Sequence, residues 1–207
     1  MDFLFILLTG FVIGISGAMI PGPLTLFTIS GTLKTNKFAG FKSISGHIII
    51  ELAIILVIFF GFNNLLMHKS FLQLVSIIGG VALVTMGIIL FANSPKMKIV
   101  GIESKSDFDR GLVAGGAIFS LLSPGFFVWW ATIGFSTLIK ASLLLGIVGV
   151  VILTLGHWLA DIAWYGFLSY MVDKGKNYLS DKVYQNIMRF FSLALIFLGV
   201  SFLIYRK

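Results

Sequence analysis

The 207-residue chain contains no cysteine, four prolines and few charges, and neither tryptophan nor tyrosine occurs before position 129. Without cysteine there is no disulfide scaffold, no thiolate metal site and no thiol redox relay. Charged residues make up 11% of the chain and hydrophobic ones 58%, with a mean hydropathy of +1.05. Soluble domains carry about 25% charged residues, so this composition excludes a soluble enzyme or a soluble nucleic-acid-binding domain. The solvent is lipid, and no cofactor is expected.

A helix rises about 1.5 Å per residue across a core about 30 Å thick, so a span needs about 20 apolar residues. Six segments qualify: Phe3–Leu33, Ala39–Phe62, Phe71–Ala92, Gly111–Leu138, Ala141–Met171 and Ile187–Tyr205. The expected fold is an all-α membrane protein of six transmembrane helices. The net charge of +7 is distributed as orientation, not as a ligand patch. Eleven Lys and Arg fall in the 1–2, 3–4 and 5–6 connections and four in the alternate connections and C-terminus. By the positive-inside rule the former are cytoplasmic and both termini lie outside. The start Met1-Asp2-Phe3 lacks a basic signal-peptide region and reads as part of a retained first helix.

Within this apolar background, two motifs occur twice in the same order. Pro21-Gly22-Pro23 interrupts the first span, and Gly46-His47 with Glu51 follows in the second. Ser123-Pro124-Gly125 interrupts the fourth, and Gly156-His157 with Asp161 follows in the fifth. Residues four apart share one helix face, so each His and its acid project together. Glu51 and Asp161 are the only carboxylates within spans, where an ionised group costs about 2.5–3.5 kcal/mol or more unless it faces the bundle interior or a water cavity. Proline breaks in a membrane leave half-helix ends, whose free N–H groups suit anions and whose carbonyls suit cations.

The chain thus reads as one integral-membrane domain, 1–207. Repeat 1 covers about residues 1–92, a basic linker follows at 93–110, and repeat 2 covers about 111–207. Three spans per half make the repeats inverted. The four Trp (Trp129, Trp130, Trp158, Trp164) and five Tyr read as interfacial anchors; a cation–π wall for a substrate ammonium is the alternative.

The length near 200 residues, the six spans, Pro21-Gly22-Pro23 late in span 1, the basic Lys37–Gly46 connection and the second proline site in span 4 together resemble the lysine-exporter (LysE-type) translocators, including the homoserine/threonine branch. Leu24 and Ser123 stand where amino-acid exporters of that family often carry a polar residue and an Asn-Pro pair. The resemblance implies a proton- or potential-coupled secondary exporter of an amino acid or related small solute in the cell membrane, and no enzyme. Its partners would be a small-molecule substrate and the bilayer, not nucleic acid, with self-association left open. In that reading the helix breaks Pro21, Gly22, Pro23, Ser123, Pro124 and Gly125 line the substrate pathway. His47, Glu51, His157 and Asp161 carry protons or pair with substrate. The alternative is a divalent-cation exporter with those four side chains as ligands, provided spans 2 and 5 meet.

Overall fold

The computed structural model describes residues 2–19, 22–61, 68–96, 105–176, 178 and 180–204, and these are helical almost throughout. The helices are α1 (Asp2–Ala18), α2 (Pro23–Lys34), α3 (Ala39–Phe59) and α4 (Lys69–Asn93), the last followed by a 3-10 turn at Ser94–Lys96. Then come α5 (Lys105–Leu121), α6 (Pro124–Trp129), a π-helical turn at Trp130–Gly134, α7 (Phe135–Lys176) and α8 (Asp181–Ile204). No strand occurs among the described residues. Four helical segments are long and apolar enough to cross a membrane, or five if the bent pair α1/α2 counts as one span.

Both proline sites end one helix and begin another. Gly22 is extended (φ −151°, ψ −175°), Pro23 opens α2, and α1 and α2 are bent by 78°; Pro21 lies outside the described residues. Ser123 is likewise extended (φ −103°, ψ 105°) and Pro124 opens α6. Proline suits the first helical position because its fixed φ is already helical and its missing N–H would be unpaired there anyway. It also pushes the residue before it out of the helical region, which is the conformation seen at Gly22 and Ser123.

Within α7 the backbone leaves helical geometry at Leu145 and Gly146, where Gly146 has φ +59° and ψ −143°. Gly149 lies against the Ala141 carbonyl, although eight residues of straight helix would separate them by about 12 Å. The chain therefore doubles back there, a few residues beyond the Lys140 connection expected between spans 4 and 5. Only glycine adopts the Gly146 conformation readily, and another residue costs about 1–3 kcal/mol. Gly146→Ala is accordingly expected to lower stability by that amount, read as a reduced thermal midpoint of the protein in detergent.

Three helix pairs build the bundle: α1 with α7, α3 with α5, and α4 with α8. Glycines make each close approach. Gly10 and Gly156 fit α1 to α7: Gly10 faces the Leu153 carbonyl, and Gly156 faces the Leu7 carbonyl and the Phe11 nitrogen. Gly116 and Gly46 do the same for α5 and α3: Gly116 faces the Ser43 carbonyl, and Gly46 faces the Val113 carbonyl and the Ala117 nitrogen. The two sets correspond atom for atom, α1 to α5 with a shift of 106 positions and α3 to α7 with a shift of 110. In the third pair, Gly80 and Gly199 face each other's carbonyls. Small residues let membrane helices approach until backbones touch. The same device recurs in both halves.

Candidate functional site

The packing of α1 on α7 and α3 on α5 brings the middle of α3 and the middle of α7 to the two helix breaks. Between them lies a cavity of about 460 Å³. Gly22 and Pro23 from the first break and Ser123 and Gly125 from the second line it, as do His47, Glu51, His157 and Asp161. Pro124 contributes the first residue of α6. The breaks and both His/acid pairs thus share one space.

The four ionisable side chains touch. Glu51 is 1% exposed and Asp161 2% exposed. Glu51 Oε1 lies 3.0 Å from His47 Nε2 one turn before it, and also 3.0 Å from His157 Nε2 on α7. Trp130 Nε1 donates a hydrogen bond to the same oxygen at 3.2 Å. His157 Nε2 is 3.4 Å from Asp161 Oδ2, an ion-pair distance. A ring nitrogen of His47 and carboxylate oxygens of Glu51 and Asp161 all lie within 4.8 Å of one another. Glu51 Oε2 and Asp161 Oδ2 are buried, with no hydrogen-bond partner among the described residues. Buried polar groups are nearly always satisfied, so two carboxylate oxygens without a hydrogen bond in one cavity can take something that donates to, or coordinates, oxygen.

The surroundings separate the two histidines. Ser120 donates its hydroxyl to the Gly116 carbonyl at 2.7 Å, so toward His47 Nδ1, 2.6 Å away, it is the acceptor. That contact places a hydrogen on Nδ1 and turns Nε2 to Glu51. By the 106-position shift, Ser120 corresponds to Gly14, which packs against the His157 ring. His157 is instead walled by Trp129 and Trp130, with ring centroids 5.0 and 5.1 Å away. Both tryptophans are thus drawn into the bundle at the cavity wall and do not serve as the interfacial anchors expected of them. Trp130 begins the π-helical turn, and Gly134 makes room for its ring. Such turns recur at functional sites because they re-aim a side chain.

Sequence reasoning also passed over Thr25 and Tyr165, which line the cavity with Thr25 Oγ1 and the Tyr165 hydroxyl 3.4 Å apart. The signals were present: Thr25 follows Pro23-Leu24, and Tyr165 stands one turn beyond Asp161. At the start of α2 no side chain caps the helix. The N–H groups of Leu24 and Thr25 precede that of Leu26, the first to find an intrahelical acceptor, the Gly22 carbonyl, and both residues line the cavity.

Comparison with known proteins bears on this arrangement through one family. No curated protein and no solved structure matches the chain. A family model described as LysE type translocator matches residues 15–206, which include both helix breaks, both His/acid pairs and every span except the start of the first. The chain is therefore a multi-pass membrane protein that belongs to the LysE type translocators, a family of small-solute exporters and not of enzymes.

Proposed function

We propose that this translocator is a secondary active exporter of an amino acid or related small solute across the cytoplasmic membrane, coupled to protons or to the membrane potential. The observation that carries the reading is the single cavity in which two helix breaks and two buried carboxylates meet. Its volume falls within the range of about 300–1,000 Å³ typical of small-molecule sites. A zwitterion fits its polarity. The ammonium bridges Glu51 and Asp161, and the carboxylate takes the first-turn N–H groups of α2, whose dipole favours an anion. Protons and the ammonium then compete for the same carboxylates, which is the simplest physical basis for exchange of one against the other.

In this reading the chain crosses the membrane six times as two inverted repeats, with 93–110 as the linker. The segment Gly125–Lys176 has 52 residues, about 78 Å of helix against a core of about 30 Å, and the reversal at Gly146 divides it into two crossings. Exchanging the halves converts the α1–α7 pair into the α5–α3 pair and returns α4–α8 to itself, which is the behaviour of a two-fold repeat. The distribution of Lys and Arg orients both termini outward.

The test is counterflow of radiolabelled amino acids in proteoliposomes. At least one is expected to accumulate, and Asp161→Asn is expected to reduce that accumulation to background while the purified protein stays monodisperse. The asparagine keeps the size and shape of the aspartate and one oxygen to face His157, so the fold is expected to survive. Full transport by Asp161→Asn would remove this residue from the pathway.

A further inference from the structure

We infer that His47, Glu51 and Asp161 form a binding site for a divalent first-row transition-metal ion, with Ser120 and His157 as its supporting contacts. This goes beyond the exporter reading and does not depend on it. An ammonium would explain the carboxylates but not the histidines, each of which turns Nε2 toward Glu51. A metal ion uses both kinds of group. Nitrogen and oxygen ligands lie about 2.1 Å from zinc-like ions, so neighbouring ligand atoms stand about 3.0–3.4 Å apart in octahedral or tetrahedral sites. His47 Nε2 and Glu51 Oε1 are 3.0 Å apart, and a ring nitrogen of His47 and one oxygen each of Glu51 and Asp161 lie within 4.8 Å of one another. Glu51 Oε2 and Asp161 Oδ2 are buried with no hydrogen-bond partner among the described residues, so each acid has an oxygen to offer an ion.

The contacts around these three residues are those a metal site requires. A metal-bound imidazole nearly always donates its other N–H to an oxygen, which sets the ring's tautomer and angle. Ser120 accepts from His47 Nδ1 because its own hydrogen is committed to the Gly116 carbonyl. That leaves Nε2 as the ligand atom. His157 Nε2 spans the two acids, 3.0 Å from Glu51 Oε1 and 3.4 Å from Asp161 Oδ2, and Trp130 steadies Glu51 from the other side. His47, Glu51 and Asp161 form the group whose ligand atoms all lie within 4.8 Å of one another, and we take them as the ligands and His157 as a clamp between the carboxylates. One imidazole and two carboxylates, with no sulfur ligand, suit manganese, iron, cobalt or zinc. The remaining coordination positions open into the cavity.

The test is isothermal titration of the purified full-length protein in detergent with manganese and zinc chloride, together with the visible absorption of the cobalt-loaded protein. Saturable binding at a single site is expected, lost in His47→Ala and in Asp161→Asn. Ser120→Ala is expected to weaken it by about 10–100-fold. Unchanged affinity in Ser120→Ala would overturn the positioning role of that serine. Binding that persists in both His47→Ala and Asp161→Asn places the ion elsewhere and overturns the site. The cobalt spectrum needs no variant: ligand-field bands distinct from those of cobalt in buffer support nitrogen and carboxylate ligation, and their absence overturns it. Amino-acid transport plays no part in these readouts, so the ion site and the exporter reading fail separately.

Discussion

Glu51→Ala is expected to abolish transport and to cost about 3–5 kcal/mol of stability, the typical effect of removing one partner from a buried ionic cluster. The reason is the crowding of polar groups on one oxygen. Oε1 accepts from Trp130 Nε1 at 3.2 Å and faces His157 Nε2 and His47 Nε2, each 3.0 Å away. A methyl group leaves those buried groups without their partner, at about 1–3 kcal/mol for each donor stranded. The contacts join α3 to α7 and to the π-helical turn, so the loss crosses both halves of the chain. Glu51→Gln keeps a carbonyl oxygen for Trp130 and one histidine. It is expected to fold better than Glu51→Ala while remaining inactive, because its amide neither ionises nor holds an ammonium. Thermal unfolding in detergent and proteoliposome efflux separate these effects. A Glu51→Ala protein with unchanged stability would show that the cluster around Oε1 does not form. Asp161→Asn stands in contrast, expected to cost less stability than Glu51→Ala while being severe in transport, because Asp161 faces one histidine and Glu51 faces two and Trp130.

Gly46→Leu and Gly156→Leu are each expected to prevent the bundle from assembling, with little folded protein recovered. At both positions an added side chain meets main-chain atoms: the Val113 carbonyl and Ala117 nitrogen for Gly46, and the Leu7 carbonyl and Phe11 nitrogen for Gly156. A flexible side chain could move aside, but a helix backbone cannot, so the helices must separate. Overpacking in a well-filled core costs about 1–3 kcal/mol and occasionally more. Here separation also breaks the site, because the α3–α5 contact carries the His47–Ser120 bond and the α1–α7 contact holds the His157 ring. Gly111→Leu is the control, since no described atom lies within 4 Å of a Cβ there. Size-exclusion chromatography of the three variants decides the matter. Comparable loss at positions 46 and 156 is what equivalent packing in the two halves requires; a tolerated leucine at either one would mean that its close contact is absent.

Much of this molecule was legible residue by residue. The breaks at Pro23 and Pro124 follow from local chemistry, since proline starts a helix and excludes its predecessor from one. The shared face of His47 and Glu51, and of His157 and Asp161, follows from helical spacing alone. The turn between the fourth and fifth apolar segments was harder to place. Lys140 marked it by charge, whereas the backbone reverses at Gly146, the one residue nearby with a positive φ. Charge reports where a chain meets water, and glycine reports where it can bend.

Trp130 and Ser120 show the other limit. Tryptophan is amphipathic, so pattern alone assigns it to the membrane interface. Only the π-helical turn and the space left by Gly134 swing Trp130 inward to Glu51. Ser120 is one small polar residue in an apolar helix, and its meaning depends on a helix 73 positions away. By itself the sequence determined that the chain is a membrane helical protein, where its helices break and which carboxylates are held in its spans, because composition, proline geometry and helical period act locally. The tertiary structure alone decided that α3 and α7 meet, that Glu51 serves histidines from both halves, and that the two histidines have unlike neighbours. Those are contacts between residues far apart in the chain, and no local period encodes which helix faces will touch.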